Sequence, residues 1–232
     1  MEPYFSEEVS PRQLEVIAHI IESIGSDTDS MDYIKTQEYM SDLFPIDVAV
    51  FDPTEKCDFY TVSTVGLSSY RFGQNFARSE LMMAIPKEWG DYKNRADFYW
   101  PIELLLDVAY AFVQNNIGAM VGQVLQPNGE EQQKSYSKYT DVVAGMVTFA
   151  ENFPIDIYEV EIEDTFTRFF QIVPLSKPEV AKVEDIGPLN FIKFDLHDSD
   201  GPKMMVKLGE KPVEGIDRLI RDNENNLKTN RD

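Results

Sequence analysis

From Leu14 onward, apolar residues return at every third or fourth position, at Ile17, Ala18, Ile21 and Ile24, which is the stripe of an amphipathic helix. Ser10 is placed to cap that helix, Pro11 to occupy its first position and Gln13 to complete a capping box, while Gly25 can end it in the left-handed conformation. The pattern predicts a helix over 11–24. Residues 26–32 form a polar break, and 33–44 read equally as a short helix or as irregular chain.

The period then changes from helical to alternating. Ile46, Val48 and Val50 alternate with Asp47, Ala49 and Phe51, Asp52-Pro53 begins a turn, and Phe59 to Val65 is rich in β-branched and aromatic residues. This predicts a hairpin ended by Gly66, followed by a strand from Arg78 to Ile85 that Pro86 terminates and a loop over 87–99. Pro101 opens a second helix over 101–115, in which Leu104, Leu105, Leu106, Val108, Ala109, Phe112 and Val113 cover most of the circumference. Its one polar stripe is Glu103, Asp107, Tyr110 and Gln114, which reads either as the solvent edge of a buried helix or as an acidic lining to a binding surface.

Residues 126–140, with Pro127-Asn128-Gly129, predict a loop inside one domain. Strands are predicted at 142–149, 155–162 and 166–173. In the middle one Tyr158, Val160 and Ile162 face one way, and Glu159, Glu161 and Glu163 the other. Ser176 and Glu179 form a second capping box, opening a helix that Gly187-Pro188 stops. Phe191 to Leu196 reads as a strand, 197–202 as a turn, 203–220 as a short strand and helix, and 221–232 as a disordered tail. Runs of strands broken by one central helix predict a single α+β domain over 1–220: a mixed, largely antiparallel β-sheet with flanking helices.

Composition narrows the function classes. With 232 residues, 43% of them hydrophobic, the chain can build a substantial core. The formal net charge of −20 repels phosphate backbones, so nucleic acid is not an expected partner. Residues 1–60 alone hold fourteen acidic side chains against three basic ones, a field that draws a basic partner or merely keeps the protein soluble. No apolar run approaches bilayer length, so no membrane association is expected. The single cysteine, Cys57, and the acidic N-terminal segment predict a cytoplasmic protein.

Candidate chemistry is sparse. His19 and His197 are far apart and Cys57 has one adjacent cation, so neither a zinc site nor a reactive thiol is expected. Asp195, Asp198 and Asp200 lack the frame and terminal Glu of a calcium loop. Nucleophile-elbow and phosphate-loop patterns are absent, which leaves carboxylate pairs such as Glu159 and Glu163 as the one route to hydrolysis. The reading is of a non-enzyme without cofactor or metal.

Four ordered segments carry a further signal: Gly66-Leu67-Ser68, Glu80-Leu81, Trp100-Pro101 and Val173-Pro174-Leu175. Their order and spacing resemble the suppressor of fused domain. Where that pattern continues after the helix with Gly and a histidine or acidic residue, this chain has Gly122-Gln123. The resemblance implies a protein-binding domain. In its animal form the family's best-known member grips a short peptide of a transcription factor between two domains, partly as an added strand, and this chain looks like the first of the two. Stand-alone bacterial members are associated with polymorphic toxin systems as immunity proteins, which implies an inhibitor of a basic toxin; the alternative is a general peptide-binding regulator. Exposed acids beside aromatics are the predicted partner contacts: Asp52 and Asp58 beside Phe59 and Tyr60, and Glu159, Glu161 and Glu163 beside Tyr158.

Overall fold

The computed structural model describes residues 9–36, 45–73, 78–87, 99–127, 134–137, 140–198 and 201–202. The expectations for 203–220 and for the tail lie outside these. Among these residues four α-helices are present: α1 (Pro11–Ile24), α2 (Trp100–Asn115), α3 (Lys177–Ile186) and the short α4 (Pro188–Phe191). An eight-stranded sheet comprises β1 (Met31–Ile34), β2 (Asp47–Phe51), β3 (Phe59–Val65), β4 (Arg78–Pro86), β5 (Val124–Leu125), β6 (Val142–Phe149), β7 (Glu159–Ile162) and β8 (Thr165–Ser176). Two short strands, β9 (His197–Asp198) and β10 (Gly201–Pro202), pair separately. The α+β architecture with a largely antiparallel sheet is as the sequence predicts.

The sheet runs β1-β2-β3-β4-β8-β6-β5. Among the described residues only β4 and β8 pair in parallel. The opposite edge of β8 is shared: β7 pairs with Thr165 to Arg168, and β6 with Phe170 to Ser176.

Every residue of β2 is buried because helices cover both faces of the sheet. On one face Val48, Val50, Val62, Leu81, Met83, Ile85, Val147 and Ile172 meet Leu104, Leu105, Val108, Ala109 and Phe112 of α2. The alternate positions Ala49, Phe51, Phe59, Val65, Met82, Ala84 and Phe169 meet Val16, Ile17, Ile20 and Ile24 of α1. Beside α1, α3 and α4 set Val180, Val183 and Phe191 on Val143, Met146, Val173 and Leu175. Helix α2 lies close on β6. A Cβ added at Gly145 would sit 2.9 Å from methyls of both Val108 and Ile172. Among the described residues no helix is long and apolar enough to cross a membrane.

Local signals explain the helix ends. Ser10 and Gln13 make the capping box on α1, and Gly25 closes it at φ 70°. Ser176 and Glu179 do the same for α3. Arg12, buried at 6% exposure, then ties α1 to the far hairpin. Its guanidinium donates to Ser68 Oγ (3.3 Å), the Ile162 carbonyl (3.5 Å), Glu163 Oε2 (3.2 Å), Thr165 Oγ1 (3.2 Å) and Thr167 Oγ1 (2.9 Å).

Three expectations are corrected. The predicted strand over 155–162 begins only at Glu159, because Ile155–Ile157 forms a 3₁₀ turn that buries Ile157 under α1. Glu163 is therefore not the third acid of a strand face: it and Asp164 have φ of 49° and 57° and make the β7–β8 turn. Phe191 to Leu196 is helical, ending in a π-type turn that places Phe191 and Leu196, five residues apart, in the same core. In addition, Met31–Ile34, read partly as a polar break and partly left open, is edge strand β1.

Candidate functional site

The polar stripe of α2 opens into two adjoining clefts. One, of about 540 Å³, runs from Asp107 and Tyr110 past Gln114 and Ile117 to the 123–127 segment that contains β5. The other, of about 480 Å³, lies between Glu103, Asp107 and Tyr110 of α2, residues 34–36 that leave β1, and residues 134–136. Asp107 and Tyr110 line both, so the clefts make one groove along the helix.

The stripe exists because α2 buries every other side of itself: Leu104, Leu105, Val108, Ala109 and Phe112 all face the sheet. Its acids are not fully solvated. The Tyr136 hydroxyl donates to Asp107 Oδ2 at 2.9 Å, and Thr36 and Tyr110 hydroxyls lie 3.3 Å apart. Burial raises the Asp107 carboxyl above its ordinary range, and the bond from Tyr136 offsets part of this. Burial, then the nearby charge of Asp107, raises Glu103 in the same direction.

These shifts make a prediction about acid stability. A carboxyl whose folded pKa lies above its unfolded value of 3.8 contributes most below that value, and the contribution is lost as pH rises through the folded pKa. In Asp107→Asn the side-chain carbonyl still accepts from Tyr136, but no charge is left to desolvate. The variant is expected to match or exceed the parent at pH 7, with the gap closing toward about pH 4. Urea midpoints at several pH values read this directly, and equal losses at all of them would contradict it.

The predicted partner contacts fall into two groups. Asp52 and Asp58 are exposed at the β2–β3 turn, where Asp58 pairs with Lys87; Tyr60 is half-buried. Phe59, however, is only 5% exposed and stacks edge-on against Phe153 at 5.3 Å, so its ring belongs to the core. Glu159, Glu161 and Glu163 are exposed at the other end of the sheet, with Tyr158 half-buried. The register sets Phe59 beside Pro86 and Arg168 beside Ser79, so the groups are roughly 23 Å apart along β4 at 3.3 Å per residue.

Within the second group, Glu159 accepts from Arg168 at 2.7 Å and Glu163 from Arg12 at 3.2 Å. Glu161 lies directly across from Phe166, which is 54% exposed. Phe166 and Phe149, equally open, are aromatics the sequence reading did not single out. Nor did it find Tyr99, Thr36 or Tyr136 beside the α2 stripe, because they come from three separate connections that no spacing rule links.

The remaining candidates are structural. Cys57 is buried and its thiol is pushed up to about 11 by burial, away from reactivity. His19 leans on Phe169 at 5.2 Å and contacts the Ile157 carbonyl; burial lowers its pKa. Among the described residues no group of three or more His, Cys, Asp or Glu is placed to hold a metal ion.

Of the four segments singled out in the sequence, two meet at one carboxylate, and Val173 and Leu175 of another pack under α3 and α4. Gly66 and Ser68 bind the Glu80 carboxylate through their N–H groups, and Trp100 starts α2 in the core. A family model described as suppressor of fused protein matches residues 42–205. The chain belongs to the suppressor of fused family. Solved structures agree on the fold. A suppressor of fused homologue from Neisseria gonorrhoeae is 13% identical, with a TM-score of 0.57 over 79% of this chain and 88% of that one. The Sufu–Fu complex structure gives 17% identity and a TM-score of 0.56 over 80% and 85% of the two chains. Drosophila Suppressor of Fused, 16% identical with a TM-score of 0.57, is matched over 96% of this chain, which spans 57% of its length. No curated protein sequence matches.

Proposed function

We propose that this suppressor of fused family member is a non-enzymatic binding protein that captures a basic protein partner, and that it acts as an immunity or inhibitor protein by neutralising a cognate toxin. The observation that carries the reading is the acid-lined groove along α2 on a chain of net charge −20. A concave surface whose carboxylates are partly desolvated rewards a partner that brings positive charge, and the wider field speeds encounter. The exposed acids Asp52, Asp58, Glu159, Glu161 and Glu163, with half-buried Tyr60 and Tyr158, would supply further contacts outside the groove. One related structure is itself a complex, of Sufu with Fu.

A second reading, a peptide-binding regulator, is favoured by β5. Among the described residues this two-residue edge strand pairs with β6 alone, and it lines the groove, so an extended peptide could lengthen the sheet there.

Affinity capture from the native cell's lysate at low and high salt tests both. Recovery of one basic protein whose toxicity this chain abolishes, released by salt, is the expected result. Recovery of short-motif proteins insensitive to salt favours the regulator, and recovery of neither overturns the binding reading.

A further inference from the structure

The cleft at the start of α2 has the chemistry of a cation receptor. Glu103 and Asp107 are four residues apart on one helix face, a spacing at which two carboxylates repel each other. Tyr99 at the N-cap of α2, Tyr110 within α2 and Tyr136 from a separate segment line the same cleft. The Tyr136 hydroxyl is spent on Asp107 Oδ2 at 2.9 Å, which fixes the carboxylate and leaves its other oxygen for a ligand.

Among the described residues neither Glu103 nor Asp107 has a salt-bridge partner. Lys35 and Lys134 border the cleft; burial raises both carboxyls, the charge of Asp107 raises Glu103 further, and the bond from Tyr136 lowers Asp107 in part. A flat acidic surface would leave such carboxylates hydrated. Here they sit in a cleft of about 480 Å³ walled by aromatic rings, where a bound cation is worth more than in open water.

We infer that this cleft receives an arginine side chain carried by the protein partner, its guanidinium bridging Glu103 and Asp107 and its plane stacked on the tyrosine rings. The guanidinium is favoured over an ammonium because it presents several donors in a flat fork, able to serve two carboxylates while lying against an aromatic face. The inference rests on the protein-binding reading and names the partner group that the groove recognises.

Its test uses the small molecule Nα-acetyl-L-arginine methylamide titrated into the ¹⁵N-labelled full chain, with the matching citrulline derivative as the uncharged control. Saturable shifts confined to amides of 103–110 and 134–136 are expected, with the citrulline compound weaker by about tenfold or more. The double variant Glu103→Gln/Asp107→Asn should lose that preference while Tyr136 keeps its acceptor. Equal binding of the two compounds, shifts scattered over the acidic surface, or an arginine response unchanged in the double variant would each overturn the inference. Because no partner protein is involved, such a failure stays separate from failure of the capture experiment.

Discussion

Replacing Glu80 by alanine is expected to cost about 4 kcal/mol of folding stability, because it strands three buried donors at once. The carboxylate is fully buried. It accepts from the Gly66 and Ser68 N–H groups, each at 3.0 Å, and from the Thr64 hydroxyl at 2.6 Å. Burial raises its pKa while these bonds pull the other way, as befits an acid retained for its acceptors and not for its charge. The loop it holds requires glycine at its start. Gly66 sits at φ 120°, where an added Cβ would come within 2.6 Å of the Pro45 carbonyl oxygen. Glu80→Gln keeps an acceptor for the two N–H groups and is expected to lose only about 1 kcal/mol. Urea denaturation of the two variants separates lost hydrogen bonds from lost volume; equal losses would mean that the bonds are not what matters.

The second large effect is at Trp100. Its side chain is 1% exposed at the first position of α2 and belongs to the core that joins this helix to the sheet. Truncation to alanine is expected to cost about 4 kcal/mol, the sum of lost burial and a cavity too large to collapse. The damage should also be local. Glu103 and Asp107 lie one and two turns further on, so hydrogen exchange at the start of α2 should accelerate more than that of β2 or β3. Uniform acceleration would show that Trp100 stabilises the whole fold without specifically seating the groove.

Much of the secondary structure was legible because its signals are local. The caps of α1 and α3 are written in three or four consecutive residues, and β6 was delimited at Val142 and Phe149 by its own composition. The misreadings came from alternation that tertiary packing overrides. In Ile155-Asp156-Ile157 the alternation is strand-like, yet after Pro154 the chain turns so that Ile157 reaches the core under α1 and Ile155 stays 77% exposed. Phe191 to Leu196 alternates equally well, but its buried residues are five apart, which a strand would place on opposite faces.

The groove was half legible. Its acids and Tyr110 share one helix and announce themselves by spacing, while Thr36 and Tyr136 come from unrelated segments and meet them only in the folded chain. The acids of β7 and its following turn were correctly read as exposed, but Arg168 beside Glu159 and Arg12 beside Glu163 were not foreseen, since nothing in the sequence brings α1 to the β7–β8 turn.

The parallel seam between β4 and β8 has a consequence for how the chain comes off the ribosome. Arg78 pairs with Thr167, so β4 emerges about 90 residues before the strand that completes it. Until then β1 to β4 form a hairpin series with one bare, apolar edge, and β6 has no neighbour on the side that β8 will occupy. Such an intermediate is a template for another copy of itself, and synthesis gives it seconds to act. The groove along α2, a helix that rests on strands from both sides of that seam, is thus complete only when β8 has been made.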